Sequence, residues 1–146
     1  MDQVEIRHAR LSDVPAMTQL VTELGYPATP EDMRARLEKL LPDPRQFIAL
    51  AVRGEEIIGL IAAEHRLVLE TGESIEIMGL VVAAQARRQG IGGILLSAAE
   101  TWAREKGVTA LRVRSNVART QSHPFYLGHG YARHKMQHVY AKRIDA

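Results

Sequence analysis

Between Ser74 and Arg114 the chain runs through a strand, a turn rich in arginine and glycine, an amphipathic helix and another strand. The apolar run Ile75 to Val82 leads into Arg87-Arg88-Gln89-Gly90-Ile91-Gly92-Gly93. A helical stretch then extends from Gly92 to Lys106, with Leu95, Leu96, Ala99, Trp102 and Ala103 on its apolar face. Val108 to Arg114 is the second strand. A helical crossover of this kind joins parallel strands, so this stretch alone requires a parallel pair with a helix packed across it. The turn also favours one chemistry. Its amides stand at a helix start, where the first N–H groups lack intrahelical acceptors and the dipole is positive. Glycine lets a ligand approach the backbone without a Cβ in the way. Such a turn binds phosphate oxygens.

The flanking segments supply antiparallel structure. Val4 to Arg10 alternates as a short strand. Ser12 is placed to cap a helix carrying Val14, Met17, Leu20, Val21 and Leu24, and Gly25 to stop it. Thr29-Pro30-Glu31-Asp32 opens a second helix with Met33, Leu37, Leu40 and Leu41 inward, and Pro42 ends it. Strands Phe47–Val52 and Ile57–Val68 are joined by a tight turn at Arg53-Gly54-Glu55-Glu56, and Glu70-Thr71-Gly72-Glu73 turns the chain into the strand Ser74–Val82. After the crossover, Ser122 to Gly128 reads as a short helix and His138 to Arg143 as a final strand. The expected fold is one α/β domain over residues 1–146. Its sheet is mixed, antiparallel at the start and parallel at the glycine turn, with helices on both faces.

Three phosphate-binding patterns compete for the glycines. A P-loop needs a lysine after its last glycine, and none follows here. A dinucleotide fingerprint needs a third glycine where Leu95 stands, and it belongs after a first strand rather than after several antiparallel ones. The pattern R-x-x-G-x-G is matched by Arg87, Gly90 and Gly92 without a gap.

With that match the chain resembles the GNAT family of acetyl-CoA-dependent N-acetyltransferases. The likeness covers nearly the whole sequence: the order of elements, Leu80-x-Val82, Arg87-x-x-Gly90-x-Gly92, and the late Phe125-Tyr126-x-x-x-Gly130-Tyr131. It implies that the main chain of Leu80, Val81 and Val82 hydrogen-bonds the pantetheine arm of acetyl-CoA as an added strand would. It implies that amides of Arg88, Gln89, Gly90, Ile91, Gly92 and Gly93, beside Arg87, hold the pyrophosphate. The two parallel strands splay at their C-terminal ends to admit the cofactor, where ligands of open α/β sheets bind. Many family members carry an asparagine seven residues before the tyrosine. Here Arg119 stands there and Asn116 is displaced, so both are candidates for contact with the cofactor, and Arg119 also for an acidic group of the acceptor.

Acetyl transfer to an amine needs a base for the ammonium proton, a donor for the oxyanion and an acid for the leaving thiolate. Tyr126 matches the family's acid, and a tyrosine with the reference pKa of ~10 carries its proton at neutral pH. Glu76 interrupts an apolar strand, Ile75-Glu76-Ile77-Met78, where a charge needs a reason. It stands where some family members place a catalytic glutamate. A strand carboxylate paired with an arginine is the plain alternative. His123, three residues before Tyr126 on the same helical face, is a second base, and a water chain a third. The chain contains no cysteine, which excludes a cysteine-borne acetyl intermediate, disulfides and thiolate metal sites. The six histidines are scattered along the chain, and no metal is expected.

The remaining expectations concern partners. Nineteen basic against 17 acidic side chains give a net charge of only +2, and apart from Arg87-Arg88 the basic residues are dispersed, which argues against nucleic acid. The opening residues do not read as a secretory signal and no apolar run spans a bilayer, so the expected setting is cytoplasmic, away from membranes. The expected reaction is direct attack by a small-molecule or peptide primary amine on acetyl-CoA in a ternary complex. A non-catalytic acyl-CoA-binding sensor on the same fold is the rival. The acceptor's identity and the oligomeric state, homodimer included, stay open.

Overall fold

In the computed structural model, residues 3–114 and 122–144 are described. They fall into two compact units that divide after Arg114.

The first unit is a sheet of five strands in the order β1-β2-β3-β4-β5. These are β1 (Val4–His8), β2 (Gln46–Arg53), β3 (Glu56–Val68), β4 (Gly72–Val82) and β5 (Leu111–Val113). The first four are antiparallel neighbours, and β4 and β5 are parallel. The crossover between them carries helix α3 (Ile91–Glu105), so the parallel pairing demanded by the strand–helix–strand order is present.

Helices α1 (Val14–Leu24) and α2 (Pro30–Leu40) cover one face. Their Val14, Met17, Leu20, Met33 and Leu37 pack with Ile48, Leu50 and Val52 of β2, Leu60 of β3 and Val81 of β4. Thr29 caps α2 by accepting from the Asp32 amide at 3.0 Å, the arrangement its sequence announces. The start of α1 differs from expectation. Ser12 lies within a 3-10 turn and Asp13 occupies the cap position, without capping the helix through its side chain. Its carboxylate instead accepts two hydrogen bonds from Arg7, at 2.8 and 2.9 Å, and one from the Arg10 amide at 2.8 Å. The bidentate guanidinium is the stronger partner for a buried carboxylate, and it holds Asp13 below the usual carboxylate range.

The opposite face is covered by α3, whose buried residues are Ile91, Leu95, Leu96, Ala99, Trp102 and Ala103. Phe47 of β2 stacks on Trp102 with ring centroids 5.2 Å apart. Gly59 of β3 permits the closest approach: a Cβ there would lie 2.9 Å from Leu95 Cδ1 and 3.3 Å from Ile91 Cγ2. Because Gly59 pairs with Val82, this contact sets the helix start directly against the end of β4.

Element limits shift modestly from expectation. β5 is confined to Leu111–Val113, within the expected 108–114, α3 begins at Ile91, one residue early, and the turn before β4 occupies residues 69–71.

The second unit contains α4 (Ser122–Gly128), as expected. The expected final strand His138–Arg143 does not form; residues 131–144 are irregular. Alternation favours a strand only where a neighbour supplies hydrogen bonds and buries one side. Here Val139 and Tyr140 are both exposed.

Candidate functional site

The register places an irregularity where the sheet opens. Ala62 of β3 pairs with Gly79 and Ala63 with Ile77, so Met78 of β4 is an extra, bulged residue. A bulge increases local twist and breaks the alternation. Before it, Ile75 and Ile77 face the α3 side; after it, Gly79 and Val81 face α1 and α2. On the other edge of β4, pairing with β5 ends at Ile77–Val113. From Met78 to Val82, that edge has no strand partner among the described residues. Leu80, Val81 and Val82, the residues expected to meet the cofactor's arm, lie along this stretch.

The glycine turn follows within a few residues. Arg87, Arg88, Gln89 and Gly90 are all exposed. Gly90 adopts φ 80° at the N-cap of α3, with open space where a side chain would be. Arg88 also has positive φ, 64°, which in a non-glycine residue stores strain of about 1–3 kcal/mol. The first amides of α3, from Ile91, Gly92 and Gly93, have no intrahelical acceptor, and the Gly90 carbonyl receives the Ile94 amide at 3.2 Å. Two neighbours are placed by side-chain bonds: Arg87 Nε donates to the Val82 carbonyl at 3.3 Å, and Arg53 donates to Gln89 Oε1 at 2.7 Å. Arg53 comes from the β2–β3 hairpin and went unrecognised in the sequence, because only the pairing of β3 with β4 brings it here.

Glu76 sits on the face covered by α1 and α2, 3% exposed. Its Oε2 accepts from Arg66 at 3.1 Å, and its Oε1 pairs with Arg114 Nε at 3.3 Å. Arg66 also pairs with Glu64 at 3.4 Å, and Glu64 accepts from Gln46 at 2.7 Å. Register aligns Gln46, Glu64, Glu76 and Arg112 in one polar row across four strands. The row lies beside the apolar row Ile48–Ala62–Gly79. Glu64-x-Arg66 and Arg112-x-Arg114 carry the strand period, a signal that sequence reading could have used; which charges meet depends on register.

In the second unit, Tyr126 lies on α4 and its ring meets those of Phe125 and Tyr131, with centroids 5.1 and 6.0 Å away. The Tyr131 amide donates to the Tyr126 carbonyl at 3.0 Å, closing the helix through Gly130 at φ 88°. His123 is exposed, with Nε2 3.4 Å from Arg133 Nη2. Since arginine can only donate, that nitrogen's lone pair is engaged. Asn116 and Arg119 lie outside the described residues. Among the described residues there is no group of three or more side chains suited to a metal, and no helix long and apolar enough to cross a membrane. A groove lined by His8, Phe47, Thr101, Trp102 and Lys106 lies at the far end of α3, away from the glycine turn, and its two large rings are already stacked on each other.

Residues 14–141 match the Acetyltransferase (GNAT) family. The chain is 34% identical to the aminoalkylphosphonate N-acetyltransferase of Salmonella typhimurium, over 90% of this chain and 86% of that one. It is 26% identical to the aminoglycoside N(6')-acetyltransferase type 1 of Serratia marcescens, over 90% and 94%. Among solved structures, an aminoglycoside N-acetyltransferase in complex with coenzyme A superposes with a TM-score of 0.89 at 19% identity, covering 99% of this chain and 97% of that one, a likeness of fold.

Proposed function

Given that the chain belongs to the GNAT acetyltransferase family, we propose that it transfers the acetyl group of acetyl-CoA to a primary amine of a small molecule, by direct attack in a ternary complex. The observation that carries the reading is the β4 edge at Met78–Val82, without a strand partner among the described residues, leading to a glycine turn at a helix start. One end suits an extended amide-bearing arm and the other a pyrophosphate. The amine nitrogen bonds to the thioester carbonyl carbon, the C–S bond breaks, the ammonium yields a proton and the thiolate accepts one.

Amides from Arg88 to Gly93, with the charges of Arg87 and Arg88, hold the pyrophosphate. Leu80, Val81 and Val82 align the pantetheine. Glu76 is the proposed base. Each of its oxygens accepts from one guanidinium, which leaves further lone pairs, and its burial calls for one intervening water to bring the proton. His123 is the weaker base, since its Nε2 faces Arg133. Tyr126 is the proposed acid on the strength of the Phe125-Tyr126-x-x-x-Gly130-Tyr131 motif. Asn116 and Arg119 are further candidates for cofactor contact.

The names of the relatives do not agree on an acceptor: aminoalkylphosphonates carry an acidic group, aminoglycosides several positive charges. The test is release of coenzyme A thiol from acetyl-CoA across amino acids, aminoalkyl acids, polyamines and aminoglycosides, with acetylated product identified by mass. Thiol release that tracks one amine class is expected. Tight coenzyme A binding without transfer to any amine would instead support the sensor reading.

A further inference from the structure

The polar row that holds Glu76 carries more positive charge than its own carboxylates neutralise. Arg66, Arg112 and Arg114 face Glu64 and Glu76 on one side of the sheet. Glu76 is matched by Arg66 and Arg114, and Glu64 by Arg66 and Gln46. Arg112, in register with Glu76, has no ion pair or hydrogen bond among the described residues. The Arg114 side chain is 61% exposed, and among the described residues its one contact is that through Nε at 3.3 Å. The guanidinium groups of Arg112, on β5, and Arg114, just past its end, thus retain donors beside a buried carboxylate.

We propose that Arg112 and Arg114 form a subsite for an anionic group on the acceptor, so that the substrates are short amines bearing a carboxylate, sulfonate or phosphonate. This rests on the transferase reading above and specifies its acceptor. The row lies roughly 7 Å along β4 from Met78, where the edge without a described strand partner begins, two residues at strand spacing. An acceptor of a few carbons, met by an arginine side chain, spans that distance. The charges are arranged for a zwitterion: Glu76 serves the ammonium end and the planar guanidinium forks the acid end, which they can grip bidentately. A polycation placed here would face unneutralised guanidinium and gain nothing from it. Arg66 is the structural member of the set, held between two carboxylates.

The test compares 3-aminopropylphosphonate and β-alanine with the neutral 3-aminopropanol and the cationic putrescine as acceptors, in the intact protein and in Arg112→Gln and Arg112→Lys. Arg112 is the informative position because its replacement leaves both partners of Glu76 in place. The anionic acceptors should have a kcat/KM at least ~10-fold above 3-aminopropanol, as for one charge-assisted hydrogen bond. Arg112→Gln should collapse that ratio mainly through KM, and Arg112→Lys should restore part of it. Preference for the neutral or cationic amines, or a ratio untouched by Arg112→Gln, would overturn the proposal. Should no amine be acetylated, titration of 3-aminopropylphosphonate into the coenzyme A-loaded protein decides. Binding weakened by Arg112→Gln supports the subsite, and absence of binding refutes it. The fate of the transferase reading is then separate from that of the subsite.

Discussion

Replacing Gly59 by alanine should weaken both the fold and the coenzyme A site, because one contact supports both. The new Cβ would stand 2.9 Å from Leu95 Cδ1, 3.3 Å from Ile91 Cγ2 and 3.4 Å from Ala51 Cβ. Carbon atoms rest at about 3.5–4.0 Å, so the first turn of α3 must retreat by about 0.6 Å or Leu95 must rotate. Leu95 and Ala51 are 0% exposed and Ile91 2%, which leaves no solvent for a side chain to move into. Overpacking of this kind costs about 1–3 kcal/mol. Alanine returns roughly 0.4–1 kcal/mol by restricting the unfolded chain. The net loss is about 1–2 kcal/mol, a fall in melting temperature of roughly 2–8 °C for a domain near this size. The helix start that shifts also carries the amides of Ile91, Gly92 and Gly93, so coenzyme A affinity should fall ~5–10-fold. Thermal unfolding and calorimetric titration read the two effects. Gly79→Ala is the control for melting, since its Cβ would meet only Leu24 Cδ2, at an ordinary 3.8 Å. If Gly59→Ala melted and bound like the parent, the helix would not be seated by this glycine.

Three further substitutions test other parts of the argument. Asp13→Asn removes the carboxylate that accepts from Arg7 and the Arg10 amide and should cost about 1.5–3 kcal/mol at neutral pH. Because the folded carboxyl is held below its ordinary value, its contribution is present above about pH 4 and is lost as pH falls through the folded value. Stability curves from pH 7 to 3 should therefore be shallower for Asp13→Asn, and parallel curves would contradict the assignment. Gly92→Asp puts a carboxylate in the first turn of α3, where a helix tolerates it but a pyrophosphate does not. Loss of coenzyme A binding with an unchanged melting temperature is expected, and retained binding would move the site elsewhere. Tyr126→Phe should lower kcat at least ~10-fold with coenzyme A affinity nearly unchanged, as for loss of one general acid; an unaffected kcat would remove Tyr126 from the chemistry.

Much of the fold is legible in the sequence alone. Local signals held where the deciding interaction is itself local. Thr29-Pro30-Glu31-Asp32 starts a helix because its cap and acids lie within one turn, and Gly25 stops one because it alone there takes φ 107° without strain. The face of α3 followed from spacing, since period 3.6 determines which side chains share a side. Ser12 does not cap α1: it lies in the 3-10 turn before the helix, and Asp13, at the cap position, is held by Arg7 of β1. His138–Arg143 alternates like a strand but does not pair, and alternation carries no information about whether a neighbour is present.

Read alone, the sequence determined the order of elements, the parallel pair around α3 and an anion-binding turn, since all follow from backbone geometry over short spans. Tertiary structure decided what surrounds that turn. The bulge at Met78 and the end of β5 at Val113 leave the β4 edge beyond Ile77 without a strand partner among the described residues. Gly59 seats the helix start against β4. Pairing across four strands converts Glu76 from an anomalous charge into the centre of an arginine-lined row. Register is a property of two strands at once, and a one-residue slip would turn every one of these side chains to the other face.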